Sequence, residues 1–164
     1  MTTDTTSPTG DALLCFGFAE ADAPVLEEMA AGRAVIFAGH GGEVAASALL
    51  ARGEACGDAL AFAARHGDTV LAVVLVSPRP SALPHAGTGC KAQVLALAGT
   101  LDADGGRAAT ELKKSLPACH LVYVFDAGQD MAAQRPAAVV KVARDFLARR
   151  DKFLVSNADG RLTP

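Results

Sequence analysis

The sequence predicts an α/β fold, in which a mostly parallel sheet of about six strands carries helices on both faces. Apolar runs of strand length alternate with helix-length amphipathic segments, which is the pattern of strand–helix–strand units. The run VLAVVLV at 70–76 is apolar on both faces, as is typical of a central parallel strand. Half of the 164 residues are apolar and a fifth are charged, which suits one domain with a sizeable core.

Each element follows from a local signal. Short apolar runs predict strands at 12–16, 34–38, 46–51, 70–76, 94–98 and 121–125. Apolar residues at helical spacing predict helices at 22–31, 55–66, 106–116 and 136–149. Pro24 lies in the first turn of the first helix, and Gly32 and Gly67 end the first and second helices. Residues 77–90 contain three prolines and two glycines, so we predict a loop there.

Composition divides the chain into three segments. Residues 1–10, rich in Thr and Ser, predict a flexible leader, residues 11–150 the folded domain, and residues 151–164 a polar tail. The leader has neither a basic start nor an apolar centre, so we do not expect a signal peptide. No apolar run approaches the ~20 residues that a membrane span requires. We therefore expect a cytoplasmic protein without membrane association.

Charge and cysteine usage exclude further classes. The formal net charge is −3 and the Lys and Arg residues are scattered, so nucleic-acid binding is not expected. The four cysteines form no C-x-x-C pair and have no histidine at zinc spacing. We therefore expect free thiols, no metal site and no cofactor. These cysteines are Cys15, Cys56, Cys90 and Cys119.

The segment Gly53-Glu54-Ala55-Cys56-Gly57 follows an apolar strand and opens a helix. This is the strand–turn–helix setting of the G-x-S-x-G nucleophile elbow, but Ala55 stands where the serine belongs. Five further segments, in the right order, resemble the α/β-hydrolase family. They are LLCFGF at 13–18, AGHG at 38–41, AFAARH at 61–66 with VVLVSP at 73–78, VLALAGTLD at 94–102, and the segment 122–136. The likeness covers about residues 11–149 and implies a reduced form of that fold without its cap.

The resemblance also implies the position of a catalytic triad, and two of its three residues are degenerate. Ala55 stands at the nucleophile position, and its methyl group cannot attack a carbonyl. Gln129 stands at the position of the base, where glutamine cannot shuttle a proton near neutral pH. Asp102 keeps the type of the acid, and Phe16 replaces the histidine of the family's HG pair. Ordinary serine-hydrolase turnover is therefore not expected.

Backbone and pocket positions follow from the same resemblance. The N–H groups of Phe18 and Cys56 correspond to oxyanion-hole donors. Cys56 begins a helix, where a thiol should have a lowered pKa, so one hypothesis is an atypical enzyme built around Cys56 and Asp102. The other interpretation of Cys56 is a small packed thiol. The expected pocket lining consists of Phe16, Gly17, Met131 and His85.

The chain is short for the family, which bears on its partners. The strands at 34–38 and 46–51 should flank the strand at 12–16, and only residues 39–45 connect them, so we expect an extended strap. The missing layers, the edge strand at 34–38 and the apolar tail residues 153–155 predict a homo-oligomer or a protein partner. Three functions fit. They are a non-catalytic protein that binds a partner protein or a small apolar ligand, an atypical hydrolase or lyase, and a structural subunit of a larger complex.

Overall fold

One parallel sheet of six strands organises the chain. The computed structural model describes residues 12–39, 46–86 and 89–149, with the short segments 155–156 and 162–163. The strands are β1 (Ala12–Phe16), β2 (Ala34–Phe37), β3 (Ala48–Arg52), β4 (Ala72–Val76), β5 (Gln93–Gly99) and β6 (Cys119–Val124). Their order is β2-β1-β3-β4-β5-β6, and every neighbouring pair is parallel. Separately, β7 (Val155–Ser156) pairs antiparallel with β8 (Leu162–Thr163).

Helices cover both faces of the sheet because successive strand residues point to opposite sides. The helices are α1 (Ala23–Ala30), α2 (Cys56–Arg65), α3 (Ala103–Ser115), α4 (Met131–Gln134) and α5 (Pro136–Arg149). On one face α1 and α5 pack in the cluster that contains Leu50 and Phe146. On the other face α2 and α3 pack in the cluster that contains Leu49 and Leu60. Neighbouring residues of β3 thus enter two different cores.

The predicted fold class is confirmed, with six parallel strands between helices on both faces. Strands β2 and β3 flank β1, as the sequence predicts. The predicted leader at 1–10, residues 40–45 of the expected strap and most of the tail lie outside the described residues. No helix within the described ranges is long and apolar enough to cross a membrane.

Helix α4 was not predicted, and the bounds of β3, β4 and β6 differ from the predicted ones by one or two residues. Two further regions differ for local reasons. Helix α3 begins at Ala103 rather than at 106, because the Asp102 carboxylate accepts the N–H of Gly105 at 3.1 Å and caps the helix. The prediction of a loop over 77–90 is wrong in part, because Pro80–His85 forms a 3₁₀ helix that buries Ala82. A proline at the first helical position has a suitable φ and lacks only an N–H that would have no partner.

Candidate functional site

A cleft of about 660 Å³ opens at the carboxyl ends of the strands. It lies beside the carboxyl ends of the neighbouring strands β1 and β3. The chain leaves β1 towards α1 on one face of the sheet and leaves β3 towards α2 on the other, which makes this a topological switch point. Open α/β sheets bind ligands at such switch points. The lining residues are Gly17, Arg52, Gly53, Glu54, Ala55, Val76, Gln129, Asp130 and Ala132. The nucleophile and base positions of the resemblance, Ala55 and Gln129, therefore share one cleft.

The turn at Ala55 is relaxed. In a nucleophile elbow, the central residue occupies a sharp, strained turn that exposes its side chain. Ala55 has φ −72° and ψ −10°, which are ordinary right-handed helical values, and it ends a 3₁₀ turn that begins at Gly53. The positive φ in this turn, 59°, belongs to Gly53, which adopts it without strain. The backbone at Ala55 therefore lacks the conformation that presents a nucleophile.

One of the two expected oxyanion-hole donors is already engaged. The backbone N–H of Cys56 donates to the carbonyl of Gly53 within the 3₁₀ turn. An oxyanion hole requires preorganised donors that point at the developing negative charge. The predicted pairing of Phe18 with Cys56 in an oxyanion hole is therefore wrong for Cys56, because the turn uses that donor itself.

The Cys56 side chain lies in the core between α2 and the sheet, fully buried. Its Sγ is 3.9 Å from the carbonyl oxygen of Val76. Burial raises the pKa of the Cys56 thiol to about 12, and this outweighs the Val76 hydrogen bond and the charge of Arg79, which lower it. The predicted lowering of this pKa is wrong, because a helix N-terminus cannot replace the lost hydration of a thiolate.

Asp102, at the acid position of the resemblance, forms an ion pair with an arginine instead of a histidine. The carboxylate of Asp102 forms an ion pair with the guanidinium of Arg79, and their side chains are only 7% and 10% exposed. The same carboxylate caps α3 through Gly105. Asp102 is absent from the described residues that line the cleft. Its carboxylate orients a permanently protonated group, whereas a triad acid orients a base.

Ser77 links this ion pair to the base position. Nε of Arg79 donates to the Ser77 carbonyl at 3.2 Å, and the Ser77 hydroxyl donates to the Gln129 carbonyl at 2.8 Å. Ser77 is buried with φ of 50°, a left-handed conformation that costs a non-glycine residue about 1–2 kcal/mol. The connection from Asp102 to Gln129 therefore runs through a guanidinium, a backbone carbonyl and a serine hydroxyl, with no imidazole along it.

Three charged cleft residues, Arg52, Glu54 and Asp130, were not predicted from the sequence, and Arg52 makes the most contacts of the three. Its Nε donates to the Gly17 carbonyl at 2.7 Å, and its Nη2 lies 3.2 Å from the Asp22 carboxylate. Its guanidinium also lies over the Phe18 ring, 4.6 Å from the centroid. Arg52 thus holds the chain after β1 against the turn after β3. The signal in the sequence was one charged residue at the carboxyl end of the apolar run ALLAR.

Two carboxylates complete the polar lining. Glu54 accepts a hydrogen bond from the hydroxyl of Ser81. Asp130 precedes α4, and its carboxylate makes no hydrogen bond to another described residue. Over the described ranges, no group of three His, Cys, Asp or Glu residues could hold a metal ion.

Of the four residues expected to line the pocket, only Gly17 does so. Phe16 packs edge-on against Phe62 of α2, with ring centroids 5.8 Å apart. Met131 is fully buried in the cluster on the opposite face. His85 lies against Gly57 of α2, so it packs beside the helix. The prediction fails for Phe16, Met131 and His85 because packing draws these side chains to the faces of the sheet.

Comparisons with known proteins agree with this architecture. No family model matches the sequence, and no curated protein matches it. A protein described as a predicted CIB-like hydrolase from Thermoplasma acidophilum is 15% identical, with 90% of this chain and 89% of that chain covered and a TM-score of 0.68. Dienelactone hydrolase from Anabaena variabilis is 17% identical, with 86% and 88% covered and a TM-score of 0.63. Est1E from Butyrivibrio proteoclasticus is 12% identical, with 84% and 86% covered and a TM-score of 0.65.

The chain therefore has the α/β-hydrolase fold, as its motifs predict. Sequence identities this low bear on the fold alone, and the function of this chain depends on the residues of its own cleft.

Adjacent glycines of α3 provide a matched test of the Asp102–Arg79 ion pair. A Cβ at Gly105 would meet the Asp102 carboxylate and lie 2.7 Å from Nη2 of Arg79, whereas one at Gly106 would lie 3.6 Å from the Tyr123 ring. We expect Gly105→Ala to lower the free energy of unfolding by about 1–3 kcal/mol through overpacking. Gly106→Ala should raise it by up to about 1 kcal/mol through helix propensity. Urea unfolding measures both, and equal effects would contradict this account of the ion pair.

Thiol labelling tests the state of Cys56. With a pKa of about 12, about one Cys56 thiol in ten thousand is ionised at pH 8, and only the thiolate reacts. We expect iodoacetamide to leave Cys56 unmodified in the native protein and to modify it in denaturant, as measured by peptide mass spectrometry. Native labelling as fast as that of an unstructured cysteine peptide would revive the atypical-enzyme hypothesis.

Proposed function

We propose that this α/β-hydrolase-like protein is non-catalytic and works by binding. The observation that carries the proposal is the relaxed turn at Ala55, which has neither a nucleophile nor a free Cys56 N–H at the place where an acyl group would react. Gln129 cannot act as a base, and Asp102 is committed to Arg79. A site that has lost its triad and part of its oxyanion hole retains little beyond ground-state binding.

The cleft supports a small polar molecule as the ligand. Its volume of about 660 Å³ falls within the range of about 300–1,000 Å³ that is typical of small-molecule sites. Three charged side chains and one amide line it, namely Arg52, Glu54, Asp130 and Gln129. This lining favours a polar ligand over the apolar one that the sequence suggested.

The balance of charge in the cleft favours a protonated amine on that ligand. Arg52 is already paired with Asp22. Glu54 and Asp130 lack a cationic partner within the part of the chain that the structure describes. Two carboxylates without counter-charges and one arginine that is already paired give the lining a negative balance, which attracts a cation. The amide of Gln129 then offers further hydrogen bonds at the same mouth.

The two other functions find less support. An enzyme built around Cys56 would need an accessible thiolate, but the thiol is buried and His85 packs outside the cleft. A structural subunit finds no support in the cleft itself, because the exposed apolar edge that could serve as a docking surface lies outside the cleft, at β6.

Ester hydrolysis tests the absence of catalysis. We expect no saturable hydrolysis of p-nitrophenyl butyrate by the protein, followed by the absorbance of nitrophenolate. The double variant Ala55→Ser/Gln129→His should also be inactive, because the relaxed turn and the Asp102–Arg79 pair persist in it. An active esterase assayed alongside is the positive control. Saturable turnover that Cys56→Ala abolishes would overturn the proposal.

Binding of small amines tests the proposed ligand class. We expect small primary amines and amino acids to perturb the amide resonances of Gly17, Gly53 and Asp130, whereas their N-acetylated counterparts, which lack the charge, do not. Asp130→Asn should weaken binding by about tenfold through loss of one charged contact. The matched control Asp68→Asn, at an exposed site outside the cleft, should leave it unchanged. Equal binding of amines and N-acetyl compounds, or no binding of either, would contradict the ligand class.

A further inference from the structure

We propose that the β6 edge and α3 form the interface between two copies of this chain, related by a two-fold axis. This inference is independent of the cleft. Three of the four exposed large apolar side chains of the described residues lie at this edge, namely Phe125 (82% exposed), Leu101 (70%) and Tyr123 (51%). Leu101 follows β5, and its N–H donates to the carbonyl of Ala127, just beyond β6, at 2.9 Å. This hydrogen bond places Leu101 at the same end of β6 as Tyr123 and Phe125. Apolar side chains grouped at one edge mark an interaction surface.

The free edge of β6 also presents backbone N–H and C=O groups that could pair with another strand. The carbonyls of Ala118 and Val124 accept from Val94 of β5 and from Thr100, just after β5, at 2.8 and 3.0 Å. Residues of one parity in a strand face the same neighbour, so the intervening residues Leu121 and Tyr123 direct their N–H and C=O groups away from the sheet. No strand of the described chain pairs with that side. The sequence CHLVYV also contains neither the proline nor the lysine with which proteins commonly protect an edge.

The opposite edge, at β2, is less suited to self-association, although the sequence suggested it. Its large side chains Val35, Ile36 and Phe37 are half-buried and pack against the two core clusters. The β6 edge is the one that keeps large apolar side chains in solvent.

The pattern of charges on α3 favours a second copy of this chain as the partner at the β6 edge. Asp104, Arg107, Glu111 and Lys114 alternate in sign at spacings of three, four and three residues. When two such helices meet antiparallel about position 109, Asp104 faces Lys114 and Arg107 faces Glu111 of the second copy. Every pair is then of opposite charge, which is the self-complementarity that an isologous interface requires.

The charged residues of α3 are available for this exchange. Within one chain, Arg107 pairs with Asp104 at 2.6 Å and Lys114 with Glu111 at 3.4 Å, and all four side chains are more than half exposed. Exposed pairs of this kind contribute about 0–1 kcal/mol, so replacing them with pairs across an interface costs little.

The midpoint of the α3 charge pattern lies at the same level as the middle of β6. Ala109, at the midpoint of the charge pattern, packs with Leu121 of β6. A two-fold axis just outside β6, at the level of Leu121, places Leu121 opposite Leu121 of the second copy in an antiparallel ladder. The same register sets Phe125 opposite Pro117 of the second copy, so the most exposed aromatic ring meets an exposed apolar residue. The two sheets then continue as one sheet of twelve strands, without a free β6 edge.

Charge reversal tests this interface with the full chain. We expect analytical ultracentrifugation at micromolar concentrations to show a dimer. Arg107→Glu or Glu111→Arg alone should raise the dimer Kd at least about tenfold, because each sets like charges opposite each other across the axis. The double variant Arg107→Glu/Glu111→Arg should restore the dimer, because its charges are again complementary. Residues 107 and 111 also form an i,i+4 pair within one helix, so rescue of the dimer supports the interface only if the single variants unfold at the wild-type temperature.

An apolar variant provides a second measurement. Phe125→Ser should also weaken the dimer at least about tenfold, whereas the control Leu71→Ser, at a partly exposed site far from β6, should not. Thermal unfolding followed by circular dichroism checks that each variant is folded. The proposal would be overturned by a wild-type chain that stays monomeric at about 100 µM, a concentration at which even a weak dimer would form. It would also be overturned by a dimer that none of these variants weakens.

Discussion

Arg79 and Asp102 form a buried ion pair at the point where three segments that follow neighbouring strands meet. The pair ties the segment after β4 to the cap of α3 and, through Ser77, to the loop that carries Gln129. Loss of one partner from such a pair leaves an uncompensated buried charge, at a cost of about 3–5 kcal/mol. The geometry of this corner of the sheet therefore depends on both charges being present.

The same ion pair distinguishes this site from a catalytic triad. In a triad, the acid orients a base that takes up and returns a proton, and this requires a group that titrates near neutral pH. Here the carboxylate of Asp102 is satisfied by a guanidinium and a backbone N–H, and the residue at the base position is linked through its backbone carbonyl. These contacts hold the three loops around the cleft together.

The cleft and the β6 edge are joined by one loop. Residues 125–130 begin at the exposed Phe125 and end at the cleft residues Gln129 and Asp130. The loop is braced from inside the chain, since the N–H of Asp126 donates to the hydroxyl of Thr100 at 2.9 Å and the carboxylate of Asp126 pairs with Arg135. A second copy bound at β6 would brace it from the outside. The β6 edge and the cleft are thus connected by one short segment that is anchored within the chain.

The sequence by itself determined the six strands and the four longer helices, because their signals are periodicities that span a few neighbouring residues. The short helices Pro80–His85 and α4 carry too few residues for such a signal. It also determined that Ala55 and Gln129 cannot act as nucleophile and base, because that follows from their side-chain chemistry. The α3 boundary was only approximate, since the Asp102 cap is a matter of side-chain geometry.

Only the tertiary structure decided the pKa of Cys56, the partner of Asp102 and the role of Arg52. Burial of Cys56 is set by α2, β3 and β4 together, and the contacts Arg79–Asp102 and Arg52–Gly17 span 23 and 35 residues. Phe16 and Met131 were misplaced for the same reason, because the face to which a side chain turns depends on what packs there. Desolvation and ion pairing depend on groups that are distant in the chain, so no local pattern records them.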